Sequence, residues 1–305
     1  MNLKELWSFK DDDPILGIEI IDINGNNQAE IIAYTKKGKM LVISIEGKLL
    51  SEQQITENSS IWCVKIADLS KDGENEIILG GLDGLLRVFS CTKSYSLEPI
   101  WAHQFGASIG GILLEDLNID GFQEIIAYSL DNSIRVLNHK DGSLLWGQVF
   151  EDGIGDAVIW VNDKERAKKE VVACGNDGTV RVFNGTNGEL LWHQRFSDKI
   201  RCIARLDSVK GPIIACGGDD KLLHLIDKNA KTEVKFLEFE DYVWKALSFP
   251  NAQHETIIVS TYSFAYFDES LPIDKIDFSS KIVCIDKNLE VSWEIYGKNT
   301  EYMRA

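Results

Sequence analysis

Short apolar runs recur along the chain, and polar turns separate them. From residue 109 they read "IGGILLE", "EIIAYS", "SIRVLN" and "SLLWGQVF". From residue 156 they read "DAVIWVN", "EVVACG", "TVRVFN" and "ELLWHQRF". The runs are rich in Ile, Val, Leu and Phe and short enough to be strands. Asp83-Gly84, Asp131-Asn132, Asp177-Gly178, Asp141-Gly142 and Asn187-Gly188 fall between them. These dipeptides tolerate positive φ and close hairpins. No stretch carries a 3.6-residue apolar period over a capped helical length. The pattern predicts four-stranded antiparallel meanders.

The meanders repeat. Glu30, Glu76, Glu124 and Glu170 each open an apolar run, at spacings of 46, 48 and 46 residues. Pro212 and Thr256 continue the series at 42 and 44. Trp101, Trp146 and Trp192 keep the same period, and Trp7 lies 94 residues, two periods, before Trp101. A period of this length belongs to propellers or helical arrays. The strand content selects the propeller, because a lone meander buries neither face and radial stacking buries both.

The fold class expected is therefore all-β, a β-propeller of four-stranded antiparallel blades. It forms one domain over 1–305, with repeats starting near 15, 60, 109, 156, 200 and 243. The segment "ELWSF" matches an outer strand, since Trp7 aligns with Trp101. The sixth unit already has an outer strand around Trp293. Six or seven blades, with a ring that is closed, incomplete or finished by another chain, all stay open. The sixth unit also carries about 14 extra residues between its second and third strands. Function concentrates on loops over rigid scaffolds, so this insert is a candidate partner-contact loop beside the plainer reading of a decorated loop.

The segments "DLSKDGENEIILGGLDGLLRVF" and "DLNIDGFQEIIAYSLDNSIRVLN" resemble FG-GAP repeats of integrin-α-like propellers. The same pattern is similar to the propellers of Bardet–Biedl trafficking-complex subunits and of the FG-GAP protein of the KICSTOR complex. "NDGTVRVFNGTNGELLW" resembles a quinoprotein-type repeat instead. The resemblance implies the fold and leaves function open, since propellers host different activities.

Charge narrows the partners. The formal net charge is −16, from 48 acids and 32 bases. Such a surface repels phosphate backbones and anionic membranes. The first residues, "MNLKELWSFKDDD", hold no apolar core of a signal peptide, and no apolar run reaches 18 residues. The six cysteines lie mostly in strand-like runs without a Cys-x-x-Cys pair. They read as reduced core thiols in a cytoplasmic protein.

Asp116, Asn118, Asp120 and Glu124 stand at loop positions 1, 3, 5 and 9, where calcium loops place hard oxygens. Turns brace themselves with the same residues. The ligand set decays along the repeats: the second has Asp68, Ser70, Asp72 and Glu76, and the fourth aligns Lys164 and Arg166 with ligand positions. The loops are read as structural turns, with calcium the alternative; no metal or other cofactor is expected.

In a meander, the links into first strands and the turns between second and third strands share one face. Asp11, Asp12, Asp13, Glu57, Glu151, Asp152, Asp156, Asp198, Glu240 and Asp241 lie in those links. With the turns, this face counts 15 acids against 6 bases. The expectation is a non-catalytic scaffold whose acidic face meets a protein partner with a basic surface. Self-association is expected if the ring is open. Against an enzyme stand the absent P-loop, Gly-x-Ser-x-Gly and zinc motifs. First-strand charges Glu19, Lys65, Glu115, Arg201, Arg205 and Lys245 keep an axial enzyme site as the alternative.

Overall fold

The structure, a computed structural model, describes residues 5–161, 168–209, 211–250, 255–262 and 280–297. The expected runs become strands, starting within about two residues of the positions read from the sequence. The chain divides into two compact units. The first holds Met1–Val149 with Thr186–Gly188, and the second holds Phe150–Gly185 and Glu189–Ala305.

Three sheets make the first unit. Sheet 1 is β1 (Ile15–Ile21), β2 (Glu30–Thr35), β3 (Lys39–Ser44) and β4 (Leu49–Gln54). Sheet 2 is β5 (Ile61–Ala67), β6 (Glu76–Gly81), β7 (Leu85–Cys91) and β8 (Leu97–Gln104). Sheet 3 is β9 (Ile109–Glu115), β10 (Glu124–Ser129), β11 (Ser133–Leu137) and β12 (Leu144–Val149).

The second unit repeats the plan. Sheet 4 is β13 (Ile154–Val161), β14 (Lys169–Gly175), β15 (Thr179–Asn184) and β16 (Leu190–Arg195). Sheet 5 is β17 (Ile200–Ser208), β18 (Gly211–Gly218), β19 (Leu222–Asp227) and β20 (Thr232–Glu238). Sheet 6 is β21 (Tyr242–Pro250), β22 (Glu255–Tyr262), β23 (Ser280–Ile285) and β24 (Val291–Gly297). Each sheet is an antiparallel meander in chain order. The insert of the sixth repeat, 263–279, lies outside the described residues.

The register repeats as well. Bulges fall near the start of the first strand at Ile15/Gly17, Ile61/Cys63, Ile154/Asp156, Ile200/Cys202 and Val243/Lys245. A bulge increases local twist, which face-to-face stacking of short sheets requires. The middle strands are buried on both faces, as continuous apolar runs such as "EIIAYS" predict.

Cores lie between neighbouring sheets within each unit. Ile32, Met40 and Val42 of sheet 1 pack against Val64, Ile77 and Leu79 of sheet 2. Ile78, Leu86 and Val88 of sheet 2 meet Ile112 and Ile125 of sheet 3. In the second unit, Val172 and Val182 meet Ile203 and Ile214, while Leu206 and Leu225 meet Val243 and Val259. Truncating one such residue to Ala costs about 2–5 kcal/mol.

The expected N-terminal outer strand takes a different form. Residues 5–10 form no strand. Trp7 nonetheless seats on the β3–β4 turn: its indole N–H donates to Ile45 O at 2.9 Å, and its ring covers Gly47. Trp101 does the same two sheets further on, donating to His139 O at 2.9 Å and covering Gly142. Trp146 covers Gly188. The alignment of Trp7 with Trp101 thus reports a packing seat. Phe9 packs beside Ala33, Leu41 and Ile43 of sheet 1, so side-chain packing rather than a hydrogen-bonded ladder holds the segment.

Candidate functional site

The turn aspartates of the acidic face are built into their own sheets. Asp83, Asp131 and Asp177 each pair with an arginine four residues on, Arg87, Arg135 and Arg181, at 2.6, 2.9 and 2.7 Å. Residues i and i+4 of an extended strand point to one side, so the pair closes over the turn. Asp177 also accepts from Thr179 N at 2.9 Å and Thr179 Oγ1 at 2.5 Å. Burial works against the charge on Asp83, but the Arg87 hydrogen bond, the Leu85 N–H and the Arg87 charge together outweigh it and the pKa is lowered. Sheet 5 replaces the arginine by His224, which lies between Asp220 at 2.8 Å and Glu233 at 2.6 Å. A count of turn residues alone omits these partners and overstates the free charge. The signal was present as Asp-x-x-x-Arg in "DGLLR", "DNSIR" and "DGTVR".

The ten link acids divide in two. Asp13 is buried and accepts from Lys37 N at 2.7 Å. Asp156 is buried and pairs with Lys245 Nζ at 2.7 Å. Asp11 is tied to Lys39 at 2.6 Å, and the Lys39 hydrogen bond lowers its pKa. These three anchor links. Asp12, Glu57, Glu151, Asp152, Asp198 and Glu240 are exposed, and Asp241 is half-buried.

Glu151, Asp152 and Asp198 come together. They line a hollow of about 350 Å³ in the second unit, with Asp177 at its wall and Arg195 and Lys199 beside it. Arg195 reaches Glu151 at 3.1 Å and Lys199 reaches Asp152 at 3.9 Å. All four side chains are largely exposed, so each pair contributes at most ~1 kcal/mol and exchanges readily. The hollow therefore offers three carboxylates that a cationic group can engage.

The Asp-rich loops are closed by their own backbone. Asp116 Oδ2 accepts from Gly121 N at 3.0 Å, and Asp120 Oδ1 accepts from Phe122 N at 2.8 Å. The Asn118 amide donates to Asp120 at 3.0 Å and to Glu124 at 2.8 Å. Asp68 does the work of Asp116 in sheet 2, accepting from Asp72 N and Gly73 N. Among the described residues no group of three or more His, Cys, Asp or Glu is arranged to hold a metal ion. The basic fourth loop, 162–167, lies outside the described residues.

The glutamate that ends each loop is a recurrent buried acid. Glu30, Glu76 and Glu124 are 3%, 6% and 3% exposed. One oxygen of each accepts a loop N–H: Ile23 at 3.1 Å, Leu69 at 2.7 Å and Leu117 at 2.7 Å. Burial raises the pKa of Glu76 and Glu124. Glu30 is capped by the Tyr95 hydroxyl of sheet 2 at 3.1 Å, and Glu170 by the Lys228 ammonium of sheet 5.

Among the first-strand charges, Lys245 of β21 pairs with Asp156 of β13. Arg201 is held bidentate by Asp219, and Arg205 faces Asp207 at 3.6 Å. Glu19, Lys65 and Glu115 are not fully buried. All six cysteines are free thiols, five of them buried. Burial pushes Cys63 and Cys202 up to about 12, so neither is a nucleophile at neutral pH.

Comparison with known proteins agrees with this architecture. Residues 45–145 match the family of the KICSTOR complex protein kaptin, and residues 140–264 match the λ-carrageenase β-propeller domain. A search of curated proteins returns no significant match. Among solved structures, Sqt1 of Saccharomyces cerevisiae superposes with a TM-score of 0.68 at 17% identity, covering 89% of this chain and 72% of Sqt1. BBS1N, solved in complex with ARL6DN, superposes with a TM-score of 0.63 at 10% identity, covering 92% of this chain and 80% of BBS1N. The chain has a β-propeller fold, with six four-stranded blades among the described residues, and over residues 45–145 it is similar to the kaptin family.

Proposed function

We propose that this protein is a non-catalytic scaffold of a larger intracellular assembly and docks a basic protein surface on its acidic face. The supporting observation is the hollow in which Glu151, Asp152 and Asp198 converge with only exposed, exchangeable cations beside them. The similarity to kaptin and to BBS1N, crystallised with a protein partner, supports the scaffold reading. Charge complementarity of this kind speeds encounter and is screened by salt.

The test is affinity capture with the full chain and with a Glu151→Lys/Asp152→Lys/Asp198→Lys variant, at about 50 and 500 mM salt. One set of proteins should be retained by the parent at low salt and lost both from the variant and at high salt. Equal recovery in all arms contradicts the acidic-face reading.

A second reading, self-association, is favoured by one surface. Leu247, Phe249, Ile282, Trp293 and Ile295 of sheet 6 are 42–58% exposed, whereas Leu86 and Val88 on the corresponding face of sheet 2 are 0% and 1% exposed. Apolar faces of this kind mark contact surfaces. A concentration-dependent mass by light scattering, abolished by Leu247→Glu/Ile295→Glu, is its signature.

A further inference from the structure

The recurrent buried glutamates are satisfied unequally, and the inequality marks a site. Among the described residues, Glu30 and Glu124 have both a loop N–H partner and a cap, and the half-buried Glu170 has a cap. Tyr95 caps Glu30, the Asn118 amide caps Glu124, and Lys228 caps Glu170. Two of those caps reach across from the third-to-fourth-strand turn of the following sheet.

Glu76 lacks the cap. Its Oε2 accepts from Leu69 N at 2.7 Å and Ser70 N at 3.3 Å, and among the described residues no hydrogen bond reaches its Oε1. The sequence explains why. Ser70 stands where sheet 3 has Asn118, and its side chain is too short to bring a donor across. His139 and Lys140 belong to the turn that in sheet 2 carries Tyr95. The result is a cavity of about 430 Å³ between sheets 2 and 3, with Glu76 in its wall. That volume is in the range of small-ligand pockets, about 300–1,000 Å³.

We infer that this cavity binds a tyrosine side chain of a protein partner, its phenol donating to Glu76 Oε1. The inference rests on the scaffold reading above and names a side chain that the partner inserts. Three observations select the chemistry. The wall is apolar at Leu69, Val88 and Ile100, and Phe122 and His139 stack at 4.9 Å to form an aromatic side. The groove between sheets 1 and 2 is filled by a phenol on the same glutamate position, which gives the pose. Lys71, 5.3 Å from the Phe122 ring centre, and Lys140 at the lining place cations nearby, which disfavours an ammonium or guanidinium guest and tolerates a neutral donor. A buried carboxylate with an unused oxygen rejects a guest that lacks the donor, because the oxygen then stays unpaired.

The test uses the full chain and N-acetyltyrosinamide as probe, with N-acetylphenylalaninamide as the control that lacks only the hydroxyl. Amide NMR of Leu69 and Ser70 reports the pocket, and the remaining amides report folding. The tyrosine probe is expected to shift these two amides saturably, and the phenylalanine control to bind about tenfold or more weakly. Two variants separate the hydroxyl's partner from general packing. Glu76→Gln can keep the loop hydrogen bond but turns an N–H toward the cavity. Ser70→Asn leaves the glutamate in place and supplies the amide cap seen at Asn118. Both should weaken the tyrosine probe about tenfold or more with the other amides unmoved. Equal binding of the two probes, unchanged binding in a folded Ser70→Asn chain, or no saturable shift at these amides overturns the inference. Any of these leaves the salt-dependent capture at Glu151, Asp152 and Asp198 free to succeed or fail by itself.

Discussion

At the scale of single residues, the Asp-rich loops show how backbone geometry explains side-chain choice. Their fourth positions, Gly25, Lys71 and Ile119, all adopt left-handed φ, at 72°, 60° and 64°. Ile119 is β-branched and 52% exposed, so strain there has little packing to offset it. Ile119→Asn should therefore stabilise the fold by ~0.5–1 kcal/mol in urea unfolding. The loop carboxylates are already engaged by backbone N–H groups. The thermal midpoint should accordingly be the same in chelator and in millimolar calcium; a rise of several degrees would make the loops cation sites. His224 gives a pH signature. Burial opposes its charge, but hydrogen bonds to Asp220 and Glu233 outweigh burial and raise its pKa. A raised folded-state pKa adds stability that is complete below the unfolded value, about 6.5, and is lost as pH rises through the folded value. The parent should thus lose its advantage over His224→Gln as pH rises above about 6.5 in urea melts. A constant difference would mean His224 does not titrate there. None of this was legible in the turn count, because Arg87, Arg135 and Arg181 sit in strands and their pairing needs the hairpin.

At the scale of elements, the four-stranded unit was almost wholly legible. Turn dipeptides and apolar runs fix where β1 to β24 begin, because strand period and turn chemistry are local properties. What escaped was anything set by two repeats at once. The spacing of Trp7 from Trp101, two periods, predicts a strand around Trp7. The structure keeps its seat on Gly47 and Ile45 and omits the strand. The uncapped state of Glu76 depends on Ser70 in one sheet and on the turn of the next. The tryptophan seat makes its own prediction. Gly142 has φ +69°, and an added Cβ would lie 2.5 Å from the Trp101 ring. Gly142→Ala should destabilise by ~2 kcal/mol or more, from strain and from displacing the ring. The loss should be smaller in a Trp101→Ala background, as a double-mutant cycle in urea would show. Strict additivity would mean that the ring and the turn do not support each other.

At the scale of the whole molecule, the periodic spacing of Glu and Trp predicted a propeller, and the match to Sqt1 and BBS1N bears that out at 17% and 10% identity. Repeats leave a fold readable when sequence identity is low, because each blade restates the same rules. Function is less readable, since it resides where the blades differ. Several of the acids expected on one face brace their own turns and links, and among the exposed ones Glu151, Asp152 and Asp198 share a hollow. The most direct measurement is hydrogen exchange by mass spectrometry on the full chain, free and in the assembly recovered from its native host. Residues 151–152, 176–178 and 196–199 should exchange more slowly in the assembly at low salt and regain their free rates at about 500 mM. Protection confined to other surfaces, or protection there that salt does not relieve, would contradict docking through the acidic hollow.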